Sequence, residues 1–323
     1  MDKLVEEPSA PRGPLTAAPA YGVQFFLIPL AVVAVTVVVY LEFRSLVTDE
    51  RTAQDYLLEI QSGGASRRWP AAYELSRLMA DPEVAKDAAL GPVLIEAFRA
   101  STGDDPRVRR YLALTIGRLT PPLPAEAGPA LVEALADGDS ETVISAIWAL
   151  GSLGDPAVVP ALERMYGSSD PGIRKMTVYA LGALPGDAQR HVLATALNDP
   201  AADVQWNAAV ALARHKDRDG VPVLRRMLDR PYVQGAVDRQ RTLDQAGGEG
   251  RSDRPAPREV DGDAAGEVMI GALRAVAALG EISLRDAVAG LSREEPNLRV
   301  RQAAMEALKA LGPTALGPTR EDG

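Results

Sequence analysis

The sequence predicts an all-α solenoid; a repeat period, a helical apolar pattern and recurring helix boundaries support this class. A pattern of Val-Arg, spaced alanines and Leu-Gly-x-Leu-Gly returns about every 31 residues. Its copies end at residues 120, 154, 185, 216, 280 and 312. Repeats of this period are typical of solenoids, whose units bury apolar surface only against their neighbours. We therefore expect a right-handed α-solenoid of about six to seven two-helix repeats over residues 66–312.

Each repeat is predicted to contain a helix A followed by a helix B that carries the pattern. In helix B the apolar residues recur at i, i+3, i+4 and i+7, which places them on one helix face. Asp-Pro at 105–106 and 170–171 favours a helix start, with Asp as the N-cap and Pro as the first helical residue. A small residue near the end of helix B permits close approach of its neighbour, at Gly117, Gly151, Gly182 and Ala213.

The full pattern, D-x-x-V-R-x-x-A-x-x-A-L-G-x-L-G, resembles the short HEAT-like repeat of phycobilin lyases and of many bacterial HEAT-repeat proteins. The resemblance covers most of residues 66–312 and is specific for the fold rather than for a function. It implies a ladder of Asp and Arg side chains that links successive repeats. The positions that match this ladder are Asp105 with Arg109, Asp170 with Arg174, and Arg301. Because Val143, Gln205 and Met269 depart from it, we expect an interrupted ladder.

Four segments lie outside the regular pattern. Residues 1–21 and 313–323 are predicted to be disordered tails, and residues 42–65 a helix that links the preceding segment to the repeats. Residues 231–265 separate helix A from helix B of one repeat; they are charged, contain Gly and Pro, and have few large aliphatic residues. Such a composition predicts a disordered insertion, which is either a tolerated solvent loop or part of a binding face.

Residues 22–41 predict a single transmembrane helix. These 20 residues contain no charge, and Tyr21 and Tyr40 bracket them as interfacial aromatics do. A helix of this length crosses a hydrocarbon core of about 30 Å. A cleaved signal peptide is the weaker interpretation because Asp2, Glu6 and Glu7 precede the segment. A buried core helix is the other alternative.

The orientation of this helix is not fixed by its flanking charges. Lys3 and Arg12 precede it, and Arg44 and Arg51 follow it, so the positive-inside count is a tie. A short N-terminal tail before a large domain favours a repeat domain outside the cell membrane. We expect a single-pass protein of the bacterial inner membrane with its repeats in the periplasm, the cytoplasmic side remaining the alternative.

The composition argues against several kinds of chemistry. The chain has no cysteine and only two histidines, 24 residues apart, so we expect no metal site, no cofactor and no catalytic residue. No phosphate-binding loop or nucleophile motif occurs in a suitable context. The net charge of −9, with interspersed signs, disfavours a nucleic-acid partner.

When the B helices are aligned, all three tryptophans fall in two columns that lie four residues apart and share a helix face. Trp and Tyr are the residues most enriched at binding hot spots. We therefore predict a partner-binding surface on the concave side, formed by Trp69, Tyr73, Arg110, Trp148, Lys175, Tyr179 and Trp206. The alternative is that these rings fill space between repeats.

The predicted function is that of a membrane-anchored scaffold or adaptor, not an enzyme, that binds a membrane-associated protein. An accessory subunit of an envelope or respiratory complex is the setting we consider. The repeat resemblance leaves a lyase-like enzyme or chaperone acting on bilins as an alternative, and a HEAT-like nucleic-acid-binding protein as a second one.

Overall fold

The structure is a computed structural model that describes residues 29–40, 42, 51–246 and 263–312. It separates into two units, Met1–Thr52 and Ala53–Gly323. In the first unit, residues 29–40 form helix α1, whose side chains are exposed. Among the described residues, no helix is both long and apolar enough to cross a membrane. The rest of the predicted span 22–41 and both predicted tails, 1–21 and 313–323, lie outside the described residues.

The second unit is built from seven pairs of helices, A then B, over residues 53–246 and 263–312. The A helices are α2 (Ala53–Ser62), α5 (Leu90–Ala100), α7 (Ala127–Glu133), α9 (Val159–Met165), α11 (Arg190–Ala196), α13 (Val221–Met227) and α16 (Arg285–Glu294). The B helices are α3 (Ala65–Leu78), α6 (Pro106–Ile116), α8 (Ser140–Leu153), α10 (Pro171–Ala183), α12 (Ala202–Arg214), α15 (Ala264–Leu279) and α17 (Leu298–Leu311). Two further helices are α4 (Pro82–Ala85) and α14 (Arg230–Ala246). Each B helix packs on the next B helix along the chain, which is the arrangement of a solenoid.

Side-chain caps fix where the B helices begin. Asp105 and Asp170 are the N-caps of α6 and α10, and a proline follows each of them as the first helical residue. Each carboxylate accepts a hydrogen bond from the backbone N–H two residues later. Asp139 caps α8 without a proline and accepts from the backbone N–H of Thr142, three residues later. At the other end, Gly154 and Gly280 adopt φ of 75° and 67°, the left-handed conformation that closes a helix. The two predicted Asp-Pro helix starts are thus confirmed.

Glycine is required where consecutive B helices meet. A Cβ atom placed on Gly151 would lie 2.8 Å from both Cα and Cβ of Ala180, and one on Gly182 would lie 2.4 Å from Cβ of Ala211. Gly117 faces Ala149 in the same manner, at 2.7 Å from its Cα. Such separations are too short for any side chain, so the prediction of close helix approach is confirmed for these three glycines.

The predicted linker helix belongs to the solenoid. Helix α2 buries Ala53, Leu57 and Ile60 and packs on α3, so it is helix A of the first repeat. The spacing of these residues, i, i+4 and i+7, produces a single apolar face that only a neighbouring helix can cover. The prediction that residues 42–65 lie outside the repeats is therefore wrong from Ala53 onward.

The prediction of a disordered insertion over 231–265 is also wrong for its first part. Residues Arg230–Ala246 form α14, which packs on α13 and α15. Val233 and Ala236 are buried and form its apolar face. So few apolar residues gave no clear helical pattern in the sequence. The helix also forms ion pairs through Arg230, described below. Helix α15 begins at Ala264, and residues 247–262 lie outside the described residues.

Candidate interaction surface

The predicted surface residues differ widely in exposure. Tyr73 and Tyr179 keep 38 % and 40 % of their surface exposed, and Lys175 is exposed as well. Trp69, Arg110 and Trp148 are half-buried. Trp206 is only 7 % exposed. The seven residues therefore do not form one uniform surface.

Tyr73, Trp148 and Tyr179 occupy the same register position on α3, α8 and α10. The equivalent residues of the other B helices are Leu114, Val210, Arg274 and Glu306, and each of them is at least partly exposed. This position therefore forms a continuous line on the surface across the seven B helices. We call these seven residues the exposed line.

Arginine side chains lie over the exposed rings. The guanidinium carbon of Arg77 lies 5.9 Å from the ring centre of Tyr73, and that of Arg214 lies 5.8 Å from the ring centre of Tyr179. Cation–π attraction of this kind holds a ring in one orientation while part of it remains exposed.

The N-terminal end of the line has two further aromatic contacts. Tyr73 meets the ring of Tyr111 edge-on, with centroids 5.2 Å apart. The guanidinium of Arg107 lies 4.5 Å from the ring centre of Trp69. Tyr111 was not predicted as a site residue. It directly follows Arg110 in the sequence, but only the structure shows that its ring is half-buried.

Two of the tryptophans fill space between repeats. A Cβ atom on Gly117 would lie 2.8 Å from the Trp148 ring, so this ring packs on the preceding B helix and is only partly available. Trp206 lies within the apolar core of the C-terminal repeats, and Ile270, at the equivalent position of α15, is buried with it. The interpretation of Trp206 as a surface residue is wrong, because in this part of the solenoid neighbouring helices cover that position. Within the described part of the chain, its indole N–H has no hydrogen-bond partner.

Arg110 and Lys175 are tied into ion pairs between repeats. Arg110 donates to both oxygens of Asp139, at 2.7 Å and 2.6 Å, and Lys175 Nζ lies 3.2 Å from Asp203. The hydrogen bonds from Arg110 lower the pKa of Asp139 to about 2, outweighing the effect of burial. Both cations are thus paired with a carboxylate of the following repeat, and their part in binding a partner stays a prediction.

The predicted Asp–Arg ladder exists, but it pairs each arginine with a different aspartate than expected. Asp105 and Asp170 cap their own helices, as described above. The arginines reach forward to an aspartate two or three residues before the next B helix: Arg68–Asp104 at 2.5 Å, Arg109–Asp137 at 2.6 Å and Arg174–Asp199 at 2.9 Å. Burial alone raises the pKa of Asp199, but the hydrogen bonds from Arg174 and its other donors leave that pKa lowered.

The interruption of the ladder at Met269 is repaired by the insertion helix. Glu295 lies at the acceptor position of the ladder, and Met269, at the arginine position, has no group that can donate to it. Nε of Arg230 on α14 donates to Glu295 instead, at 2.7 Å. The same guanidinium donates to both oxygens of Asp263, at 2.9 Å and 2.7 Å. The hydrogen bonds from Arg230 hold the pKa of Asp263 well below its usual range.

Nothing in the described ranges resembles a metal centre. Over residues 29–40, 51–246 and 263–312, no group of three or more His, Asp or Glu side chains is placed to hold a metal ion. His191 lies 3.6 Å from Glu163 on an exposed surface, and His215 lies 24 residues further along the chain, with its Nε2 3.4 Å from Nε2 of Gln189.

Comparison with known proteins identifies the repeat type. A family model described as HEAT repeats matches residues 91–182 and 164–239. No curated protein matches the chain. Among solved structures, the chain resembles the complex of CpcE and CpcF of phycocyanin lyase from Nostoc sp. PCC7120, with 18 % identity and a TM-score of 0.49, covering 81 % of this chain and 95 % of that one.

Two further structures are similar. An engineered protein shares 17 % identity with a TM-score of 0.41 and covers 80 % of this chain and 96 % of its own. Human deoxyhypusine hydroxylase, solved with glycerol, shares 17 % identity with a TM-score of 0.33, covering 80 % of this chain and 84 % of its own. Together with the helix pairs described above, the match to the repeat model shows that residues 91–239 are built from HEAT repeats.

Proposed function

We propose that the solenoid is a scaffold that binds a protein partner along the exposed line. The observation that carries the proposal is the placement of Tyr73 and Tyr179 at one register position of different repeats, each about two-fifths exposed. Tyrosines held in this way contribute a large contact area at a small cost in conformational entropy. HEAT repeats generally act by binding protein partners, and this line is the part of the B-helix face where large rings are accessible.

The size of the line is suitable for such an interface. Neighbouring packed helices lie about 8–10 Å apart, so three steps from α3 to α10 extend over roughly 25–30 Å. A standard protein interface buries about 800 Å² on each partner. The whole exposed line spans six such steps, roughly 50–60 Å, so a patch one to two helices wide along it is of that size.

Photo-crosslinking in native membranes tests this proposal. A photoreactive phenylalanine analogue at Tyr179 should give a stoichiometric adduct with one protein, and the same analogue at Val93 should not. Val93 of α5 is the matched control because it is exposed to the same degree, 38 %, on an A helix. The double variant Tyr73→Ala/Tyr179→Ala, probed from Leu114, should lose the adduct with little change in melting temperature. Equal adducts from Tyr179 and Val93, or an unchanged adduct in the double variant, contradict the proposal.

We also propose that residues 22–41 anchor the chain in the bacterial inner membrane, with the repeats in the periplasm and a membrane complex as the setting. The support is the run of 20 residues without a charge, flanked by Tyr21 and by Tyr40 at its end. Deletion of residues 1–41 should move the protein from the membrane pellet to the supernatant at high pH. A phosphatase fused to the C-terminus should be active, since that enzyme folds only outside the cytoplasm. A pellet fraction that the deletion leaves unchanged argues against the anchor, and an inactive phosphatase fusion argues against the periplasmic orientation.

A further inference from the structure

A small cleft lies apart from the exposed line, where the turn after α10 meets the turn after α12. Its volume is about 120 Å³. Leu193 and Leu212, both buried, form its apolar side. Its polar lining comes from Asp187, Gln189, Arg190, His215, Lys216 and Asp217. The chemistry of this lining indicates what the cleft binds.

Gln189 offers a buried acceptor to the cleft. Its side chain is 1 % exposed, and its Nε2 donates to the carbonyls of Leu184 at 3.0 Å and Gly186 at 2.9 Å. These two bonds fix the orientation of the amide, because a rotated amide would place oxygen against both carbonyls. Within the described part of the chain, Oε1 has no hydrogen-bond partner. A buried acceptor left without a donor costs free energy, so a donor from outside is favoured there.

Asp217 supplies a buried charge beside this acceptor. Its side chain is 7 % exposed, and Oδ1 accepts a hydrogen bond from the backbone of Asp219 at 2.9 Å. The other oxygen contacts the guanidinium of Arg190, whose own side chain is 61 % exposed. A buried carboxylate is therefore neutralised by a cation that is largely in solvent. An exposed partner of this kind contributes little stability and can be exchanged.

The charged side chains that line the cleft are two carboxylates, Asp187 and Asp217, and two cations, Arg190 and Lys216. Lys216 has a left-handed φ of 59°, and its ammonium donates to the carbonyl of Ala278 rather than to a carboxylate of the cleft. The ammonium keeps its charge there, so the lining as a whole is neutral. A cationic ligand is favoured locally, because the buried Asp217 carboxylate and the buried Gln189 Oε1 both accept hydrogen bonds and fit a ligand that donates.

We propose that this cleft binds the guanidinium or ammonium of an arginine or lysine side chain from a partner. The incoming cation replaces Arg190 on the Asp217 carboxylate and donates a second hydrogen bond to Gln189 Oε1. Arg190 is thus an internal ligand that holds the site closed until a better donor arrives. The proposal is independent of the exposed line, since it concerns different residues and a different chemistry.

The test is a titration of the full chain in detergent with N-acetyl-arginine methylamide, followed by NMR signals of the Gln189 side-chain amide and the His215 ring. The neutral isostere N-acetyl-citrulline methylamide is the matched probe. We expect saturable binding of the arginine probe and no saturable binding of the citrulline probe. Arg190→Met should tighten binding by roughly two- to fivefold, because the competing internal cation is removed.

Two variants complete the test. Asp217→Asn should abolish saturable binding, with circular dichroism used to confirm that it folds. Arg225→Met, on the exposed part of α13, removes the same charge outside the cleft and should leave the affinity unchanged. Equal binding of the two probes, or an Arg190→Met variant with unchanged or weaker affinity, overturns the proposal even if Asp217→Asn does not fold. Preferential binding of N-acetyl-glutamate methylamide overturns it as well.

Discussion

Replacing Arg230 by methionine should destabilise the C-terminal repeats, because this residue joins three segments at once. Its guanidinium lies between the carboxylates of Asp263, the N-cap of α15, and Glu295, which precedes α17. Asn297 Nδ2 adds a further bond to Asp263 at 2.8 Å. Methionine retains the length and most of the apolar stem of arginine. The variant therefore removes the charge and the hydrogen bonds with little change in packing.

The expected loss follows from burial. Glu295 has a side chain only 3 % exposed, while Arg230 and Asp263 are 24 % exposed. Removing one member of a buried ion pair costs about 3–5 kcal/mol, since the remaining charge is left without compensation. Because Asp263 retains some contact with solvent, we expect the lower end, about 3 kcal/mol. That is a large part of a total stability of about 5–15 kcal/mol.

The loss should depend on pH with a defined sign. Arg230 lowers the pKa of Asp263 in the folded protein, so this pair stabilises the fold above the unfolded pKa of about 4. Its contribution disappears as pH falls through the folded value. The difference in unfolding free energy between wild type and Arg230→Met should therefore be largest near pH 7 and shrink on acidification.

Urea unfolding and hydrogen exchange measure these effects. Exchange in α15 and α17 should accelerate in Arg230→Met, while α3 and α6 change little. The matched control is Arg239→Met, which removes an exposed arginine from the same helix and should change stability by less than about 0.5 kcal/mol. If Arg230→Met unfolds at the same urea concentration as wild type, then the ion pairs of Arg230 do not stabilise the C-terminal repeats.

Four other substitutions, one of them a control, test three separate parts of the structure by chemical denaturation. Asp139→Asn should lose about 2 kcal/mol at pH 6 and clearly less, under about 1 kcal/mol, at pH 2.5. The carboxylate stabilises the fold fully above its unfolded pKa of about 4, and this effect is lost as pH falls through its folded pKa of about 2; equal losses at both pH values contradict this. Gly182→Val should cost at least about 2 kcal/mol through its clash with Ala211, whereas Gly271→Ala, with open space around it, should be nearly neutral or stabilising. Trp206→Ala should cost about 3–5 kcal/mol as a core truncation, and a loss below about 1 kcal/mol indicates a surface ring instead.

The architecture could be predicted from the sequence because its causes are local and repeated. An Asp-Pro pair starts a helix wherever it precedes an apolar stripe, and a glycine at one position permits the same close contact in successive repeats. Gly151 and Gly182 show this, since each faces an alanine on the next B helix. A period read from such signals fixes which helix packs on which without any knowledge of the whole.

The candidate surface was harder to predict because exposure depends on the neighbouring repeat. Trp69 and Trp206 share one register position, yet the first is half-buried beside Arg107 and the second lies in the core. The alignment identified the position but not the helices that cover it. Likewise, Arg110 is on the predicted face, but only the structure shows that its guanidinium forms an ion pair with Asp139 of the following repeat.

The insertion shows how a composition argument can miss a structural role. Its charges predicted a solvent loop, yet Arg230 supplies the charge that Met269 lacks in the ladder of the repeats. In a solenoid, each repeat is stabilised mainly by its neighbours, so a missing contact weakens everything beyond it. Helix α17 packs on α15 and α16, and α14 packs on α15. A helix inserted just before α15 and paired with both Asp263 and Glu295 therefore connects the segments before α15 and α17, and its removal should release these repeats first.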